Sequence, residues 1–171
     1  MNDKPVVVVM GVSGTGKSTV GAALAARLDV PYAEADAFHS PANIAKMAAG
    51  HPLDDADRAP WLDAIGAWAR ERAGAGGVVS CSALKRAYRD RLRAAAGPGV
   101  FFVHLTGTPE LIAERLAGRR GHFMPSTLLD SQLATLEPLQ PDEPGVAVSI
   151  DADPAAVTEQ AAAAVPGPLA A

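Results

Sequence analysis

Cysteine is almost missing: Cys81 is the single thiol in 171 residues. No disulfide can close within the chain, which fits a reducing compartment, and Cys81 reads as a small buried side chain. A surplus of positive charge is also missing. Fifteen Lys and Arg stand against 19 Asp and Glu, for a net charge of −4. That balance argues against a nucleic-acid partner or an anionic membrane surface. No stretch approaches the roughly eighteen apolar residues of a membrane span. The apolar run Val6–Met10 halts at a Gly/Ser/Thr/Lys segment rather than a signal cleavage site. A cytoplasmic protein is the expectation. The four histidines show no paired metal-ligand spacing, so no zinc site is expected. Sixteen Gly and 14 Pro are too few for a collagen-like or disordered chain.

What is present suffices for one compact α/β domain, expected over residues 1–165, with a fraying tail at 166–171. Short β-branched runs alternate with segments of helical spacing, the pattern of βαβ units around a parallel sheet. Five strands are predicted: Val6–Met10, Pro31–Glu34, Val78–Cys81, Val100–Leu105 and Val146–Ile150. The unbroken apolar run of the first marks it as central, buried on both faces. Apolar residues three and four apart predict helices through Val20, Leu24 and Leu28, through Trp61, Ile65 and Trp68, and through Leu84, Tyr88 and Leu92. Thr108-Pro109 and Asp153-Pro154 read as capped helix starts.

The chemistry is carried first by Gly11-Val12-Ser13-Gly14-Thr15-Gly16-Lys17-Ser18, followed by Thr19. This is the G-x-x-x-x-G-K-[ST] pattern in full, placed between a buried strand and a helix. Its glycines let successive N–H groups turn inward, and the helix N-terminus adds partial positive charge at the same point. The expected ligand is a nucleotide: Lys17 can reach the β- and γ-phosphates, and the Ser18 hydroxyl can ligate Mg²⁺ bridging them. A GTPase would carry a base-reading Asn-Lys-x-Asp, which is absent; Asp63-Ala64-Ile65-Gly66 falls inside a predicted helix.

Further candidates follow the strands. Glu34 and Asp36, one residue apart, sit at the carboxyl edge of the sheet where ligands of open α/β folds bind. Glu34 could hold Mg²⁺ through water, and Asp36 could orient an acceptor hydroxyl or take its proton. His39 could bind substrate hydroxyls or cap the next helix. Arg58 could grip a substrate carboxylate or offset the acidic residues Asp54, Asp55 and Asp57 around it. Lys85 at a helix start opposes the helix dipole unless an anion lies beside it, which points to ligand binding. Arg89, Arg91 and Arg93 read as a solvated face, with Arg89 kept as a substrate-binding candidate. Arg115, Arg119 and Arg120 end a helix in a Gly-flanked segment suited to a lid that closes over phosphate or adenine. Pro154 could pack beside the purine.

These residues together resemble the gluconokinases, small phosphate-loop kinases. The resemblance rests on Gly11–Thr19, Asp36-Ala37-Phe38-His39, Asn43–Met47, Gly50 with Pro52-Leu53, Asp57-Arg58 with Pro60-Trp61-Leu62, Cys81–Lys85 with Tyr88-Arg89-Asp90, Gly121-His122-Phe123 and Leu133–Glu137. It implies a three-layer, adenylate-kinase-like P-loop NTPase fold with a substrate-binding helical segment near 38–75 and a lid near 118–126. It also implies a homodimer that phosphorylates D-gluconate on its 6-hydroxyl using ATP and Mg²⁺. Catalytic roles fall to Lys17, Asp36, Arg119 and Arg120, and substrate contacts to Asp36, His39, Arg58, Lys85 and Arg89. Ala35 stands where a glycine often precedes the aspartate, and Met124-Pro125-Ser126 is an unusual end to the lid. The rivals are another small kinase such as a shikimate kinase, and an ATP-sensing regulator without turnover.

Overall fold

The computed structural model describes residues 4–117 and 126–166, and for 126–128 the backbone alone. The expected lid, with Arg119 and Arg120, lies outside the described residues except for Ser126; so does the expected tail beyond Pro166.

Five parallel strands form one sheet in the order β2-β3-β1-β4-β5. They are β1 (Lys4–Met10), β2 (Tyr32–Glu34), β3 (Ala75–Ser80), β4 (Val100–Thr106) and β5 (Gly145–Ser149). As the unbroken apolar run predicts, β1 is central: Val8 lies between Val79 of β3 and Phe102 of β4. Parallel neighbours need crossovers, and helices supply them. Because side chains alternate along a strand, β1 feeds two cores. Val7 and Val9 pack with Val20 and Leu24 of α1 (Lys17–Leu28) and with Val157 and Ala161 of α7 (Pro154–Ala164). Val6, Val8 and Met10 pack with Trp61, Leu62 and Ile65 of α3 (Asp55–Glu71) and Leu92 of α4 (Arg86–Ala96). The result is the expected three-layer α/β arrangement. The remaining helices are α2 (Pro41–Ala48), α5 (Pro109–Ala117) and α6 (Ser126–Thr135). Cys81 is buried, and no described helix is long and apolar enough to cross a membrane.

Two elements differ from expectation for identifiable reasons. β3 begins at Ala75, so Gly76 and Gly77 lie inside the strand rather than before it. A Cβ on Gly77 would sit 2.8 Å from the Trp68 ring and 3.0 Å from Arg72 Cδ, so a side chain there would have to displace the residues by which the end of α3 covers the strand. Leu84 does not start the helix of Tyr88 and Leu92, because α4 opens at Arg86 and Ala83 takes a left-handed φ of 45°. The Leu84 side chain belongs to the α1–α7 core, on the other face of the sheet from Tyr88 and Leu92.

His104, in the middle of β4, is 3% exposed, and burial, with the Arg89 charge adding to it, pushes its imidazole down to about 4 from 6.5. Both folded and unfolded chains hold it neutral above pH 6.5. Below that the unfolded chain takes a proton the fold refuses, so stability falls between pH 6.5 and 4, by about 3 kcal/mol in all. Urea unfolding at stepped pH should show a shallower decline over that window in His104→Gln. Parallel declines would overturn this.

Candidate active site

The carboxyl ends of the strands share one rim, and the segments that follow all five strands build the site there. After β1, Gly11 has φ 146°, and a Cβ would meet Leu105 O at 2.9 Å. Gly16 caps α1 in the left-handed region, at φ 86°, and provides no capping side chain. By contrast α2, α3 and α7 are capped by Ser40, Asp54 and Asp153. The first-turn N–H groups of α1 thus lack a side-chain acceptor, which is what an anion site at a helix N-terminus requires. Thr15 stiffens the loop from below, its buried hydroxyl donating to Val12 O at 2.8 Å. Lys17 Nζ donates to the same carbonyl at 3.1 Å, folding the ammonium back over the loop.

Beside the loop lies a pocket of about 340 Å³ whose walls include Gly14, Thr19, Arg115, Ile150 and Pro154. Arg115 is anchored by hydrogen bonds to Ile150 O (2.6 Å) and Ala152 O (3.2 Å), so its stem forms a fixed side of the pocket. The structure therefore gathers Arg115 and Pro154 against the loop. A larger cavity of about 960 Å³, bordered by Lys4, Gly74, Arg93 and Pro98, opens at the amino ends of the strands, away from all of these groups.

Glu34 and Ser18 meet around one phenol. The Tyr32 hydroxyl donates to Glu34 Oε1 at 2.6 Å and lies 2.8 Å from Ser80 Oγ, which in turn donates to Lys17 O at 2.9 Å. Burial, then the Glu34 hydrogen bond, pushes the Tyr32 phenol up to about 12, while hydrogen bonds to Ser80 and Ser18 oppose the rise. A hydroxyl and a carboxylate brought together beside a phosphate loop are hard oxygen donors of the kind Mg²⁺ takes, with phosphate and water completing its shell. The residues fit that ion.

Asp36 lies in a short 3-10 turn, Ala35–Phe38, and is exposed on the rim. The turn is pinned from beneath by Trp61, whose indole N–H donates to Ala35 O at 2.7 Å. His39 stacks on the same indole, with centroids 4.5 Å apart and planes 10° from parallel. Burial lowers the His39 pKa; the nearby Asp36 carboxylate opposes that shift and the Arg58 cation adds to it. Buried Asn43 of α2 donates to Asp57 O at 2.9 Å and lies 3.4 Å from His39 Nδ1, fastening α2 to α3 around the histidine.

Arg58 and Lys85 converge on Asp55 and Tyr88. Tyr88 donates to Asp55 Oδ1 at 2.7 Å and accepts from Arg58 Nη1 at 3.2 Å. Arg58 Nη1 and Lys85 Nζ lie 3.7 and 3.8 Å from the same Asp55 oxygen. Both cations also sit over the Tyr88 ring, at 5.5 and 5.4 Å from its centroid. The Tyr88 hydrogen bond holds the Asp55 carboxyl below its usual range against a burial penalty, with Lys85 and Arg58 helping.

Arg89 corrects both its expected place on a solvated face and its expected substrate contact. Its side chain is fully buried, and Nε and Nη2 donate to Glu143 at 2.6 and 2.9 Å, with Nη1 donating to Ala83 O at 2.9 Å. Burial alone would raise the Glu143 carboxyl, but the Arg89 hydrogen bonds, the Gln140 N–H and the Arg89 and Arg86 charges together outweigh it and hold it below its usual range. The guanidinium is spent inside the fold, where it braces the Cys81–Lys85 loop. Arg89→Met would leave that carboxylate buried without its cation, a loss of about 3–5 kcal/mol. A urea titration matching the parent would refute this bracing role.

One loop contact was not legible in the sequence. Gln132 of α6 accepts from the Ser13 N–H at 2.7 Å and donates to Ser13 Oγ at 3.1 Å, across 119 residues. No local pattern announces such a pair.

A family model described as an AAA domain matches residues 7–124. A gluconokinase of Gluconobacter oxydans (strain 621H) is 53% identical over 156 residues, covering 90% of this chain and 87% of that one. The crystal structure of a gluconokinase from Sinorhizobium meliloti 1021 superposes with a TM-score of 0.86 at 49% identity, covering 96% of this chain and 93% of that one. A shikimate kinase from Bacteroides thetaiotaomicron shares the fold at a TM-score of 0.65, with 17% identity, covering 91% and 95% of the two chains.

Proposed function

The chain belongs to the gluconokinase family, and we infer that it transfers the γ-phosphoryl group of ATP to D-gluconate, giving ADP and 6-phosphogluconate. The observation that carries this is what the carboxyl rim of the sheet gathers. A phosphate loop follows β1, the Asp36 carboxylate follows β2, and Arg58 and Lys85 form a cation pair on Asp55. They suit a triphosphate, an alcohol and an acid.

In this reading the phosphate-loop amides and Lys17 hold the β- and γ-phosphates, while Arg115 and Pro154 border the purine. Ser18 and Glu34 would hold Mg²⁺, which when bound offsets charge on the phosphates. Asp36 accepts a hydrogen bond from the 6-hydroxyl and aims it. The hydroxyl oxygen forms the new bond to phosphorus as the bond to the bridging oxygen of ADP breaks. ADP leaves with that electron pair, and the hydroxyl proton passes to Asp36 or water. His39 on its Trp61 platform faces the polyol, and Arg58 with Lys85 takes the carboxylate. A cytoplasmic homodimer, as the family resemblance and the lone thiol suggest, completes the reading.

A coupled ADP-release assay tests it. Release should require gluconate, and the product should carry one phosphate, on the 6-oxygen. Release that needs shikimate instead, or nucleotide binding with no release, would replace this reading with one of its two rivals.

A further inference from the structure

Resting on that reading, a question follows about how two long cations are kept ready for an acid. Arg and Lys each lose rotamer freedom when fixed, and two positive charges near one oxygen repel. Neither side chain is buried enough for the core to hold it, at 32% and 35% exposed. Yet both point the same way. We propose that Tyr88 and Asp55 form a positioning pair that holds Arg58 and Lys85 in place for the substrate carboxylate.

The geometry shows how. The Tyr88 ring, on a helix whose neighbouring turns are packed in the core, is the fixed member, only 9% exposed. Its face receives both cations. Its hydroxyl has one proton, which goes to Asp55 Oδ1, leaving a lone pair for Arg58 Nη1. That fixes the sense of the chain from Arg58 to Tyr88 to Asp55. Asp55 draws Arg58 and Lys85 toward one oxygen and reduces their summed charge from +2 to +1, opposite to a single carboxylate. Its own repulsion of the substrate is weak, because Asp55 is 69% exposed and water screens it. The Tyr88 hydrogen bonds and the 3.7 and 3.8 Å contacts that orient the cations act at short range, so orientation decides the sign. Asp55 acts through other residues and is not itself a group that touches the reacting atoms.

Tyr88→Phe and Asp55→Asn test the pair, each measured for KM with gluconate, KM with ATP, and kcat. Each should raise KM for gluconate about tenfold, as expected for one lost charge-linked hydrogen bond. Values of kcat and KM for ATP should stay within about twofold. The double variant should be no worse than about either single one, since both break the same chain. Both should also lower the preference for gluconate over glucitol, the neutral polyol of the same length. A merely structural role would move the unfolding midpoint and leave that preference alone. An unchanged KM in both variants, or a lower KM in Asp55→Asn, would overturn the proposal; the latter would make Asp55 a competitor for the cations. Gluconate-independent behaviour of the parent enzyme would instead mark failure of the functional reading.

Discussion

Lys17→Ala is expected to lower kcat by about a hundred- to a thousandfold while leaving the chain folded. The ammonium folds back onto Val12 O and makes no contribution to either apolar core, so its removal opens no cavity. Its effect belongs to the transferring phosphoryl group, whose charge it stabilises at the moment of transfer, and single electrostatic contacts of that kind are worth about 3–4 kcal/mol. The measurement is steady-state ADP release alongside a thermal unfolding scan. Turnover near that of the parent would remove Lys17 from the machinery.

Asp36→Asn is the second large effect. An amide fills the same space but neither accepts a proton nor carries charge, so kcat should fall by about a hundred- to ten-thousandfold. KM for ATP should hardly change, because Asp36 follows β2, and the nucleotide pocket is built from the segments after β1 and β5 with α5. Since Ala35 O rather than the carboxylate anchors the turn to Trp61, the fold should survive. A change confined to ATP affinity would mean that the carboxylate belongs to the nucleotide side.

The parts read correctly from the sequence share one property: their cause is local. Val6–Met10 announces a central strand because apolar residues on both faces are contiguous in the chain. The phosphate loop is legible because its glycines, its strand and its helix follow within thirty residues. Asp153 and Thr108 cap α7 and α5 through bonds three residues long, to the N–H groups of Ala156 and Leu111. What was misread depends on partners far away. Arg89 looks like one of several surface arginines until Glu143, 54 residues later, is placed against it. Leu84 fits the spacing of Tyr88 and Leu92, yet the left-handed turn at Ala83 sends it to the opposite core. Asp55 was visible only as one of several acids around Arg58, because the phenol that distinguishes it is 33 positions away.

The sheet order has a further consequence for how this catalyst could change its diet. With β1 in the middle, the residues proposed to border the purine hang from β1, β4 and β5, and those proposed to meet the acceptor from β2 and β3. The two halves meet at the central strand's loop. Remodelling the stretch from His39 to Tyr88 would retune the choice of alcohol while the fuel-handling half stays as built, so the two preferences can be bred apart.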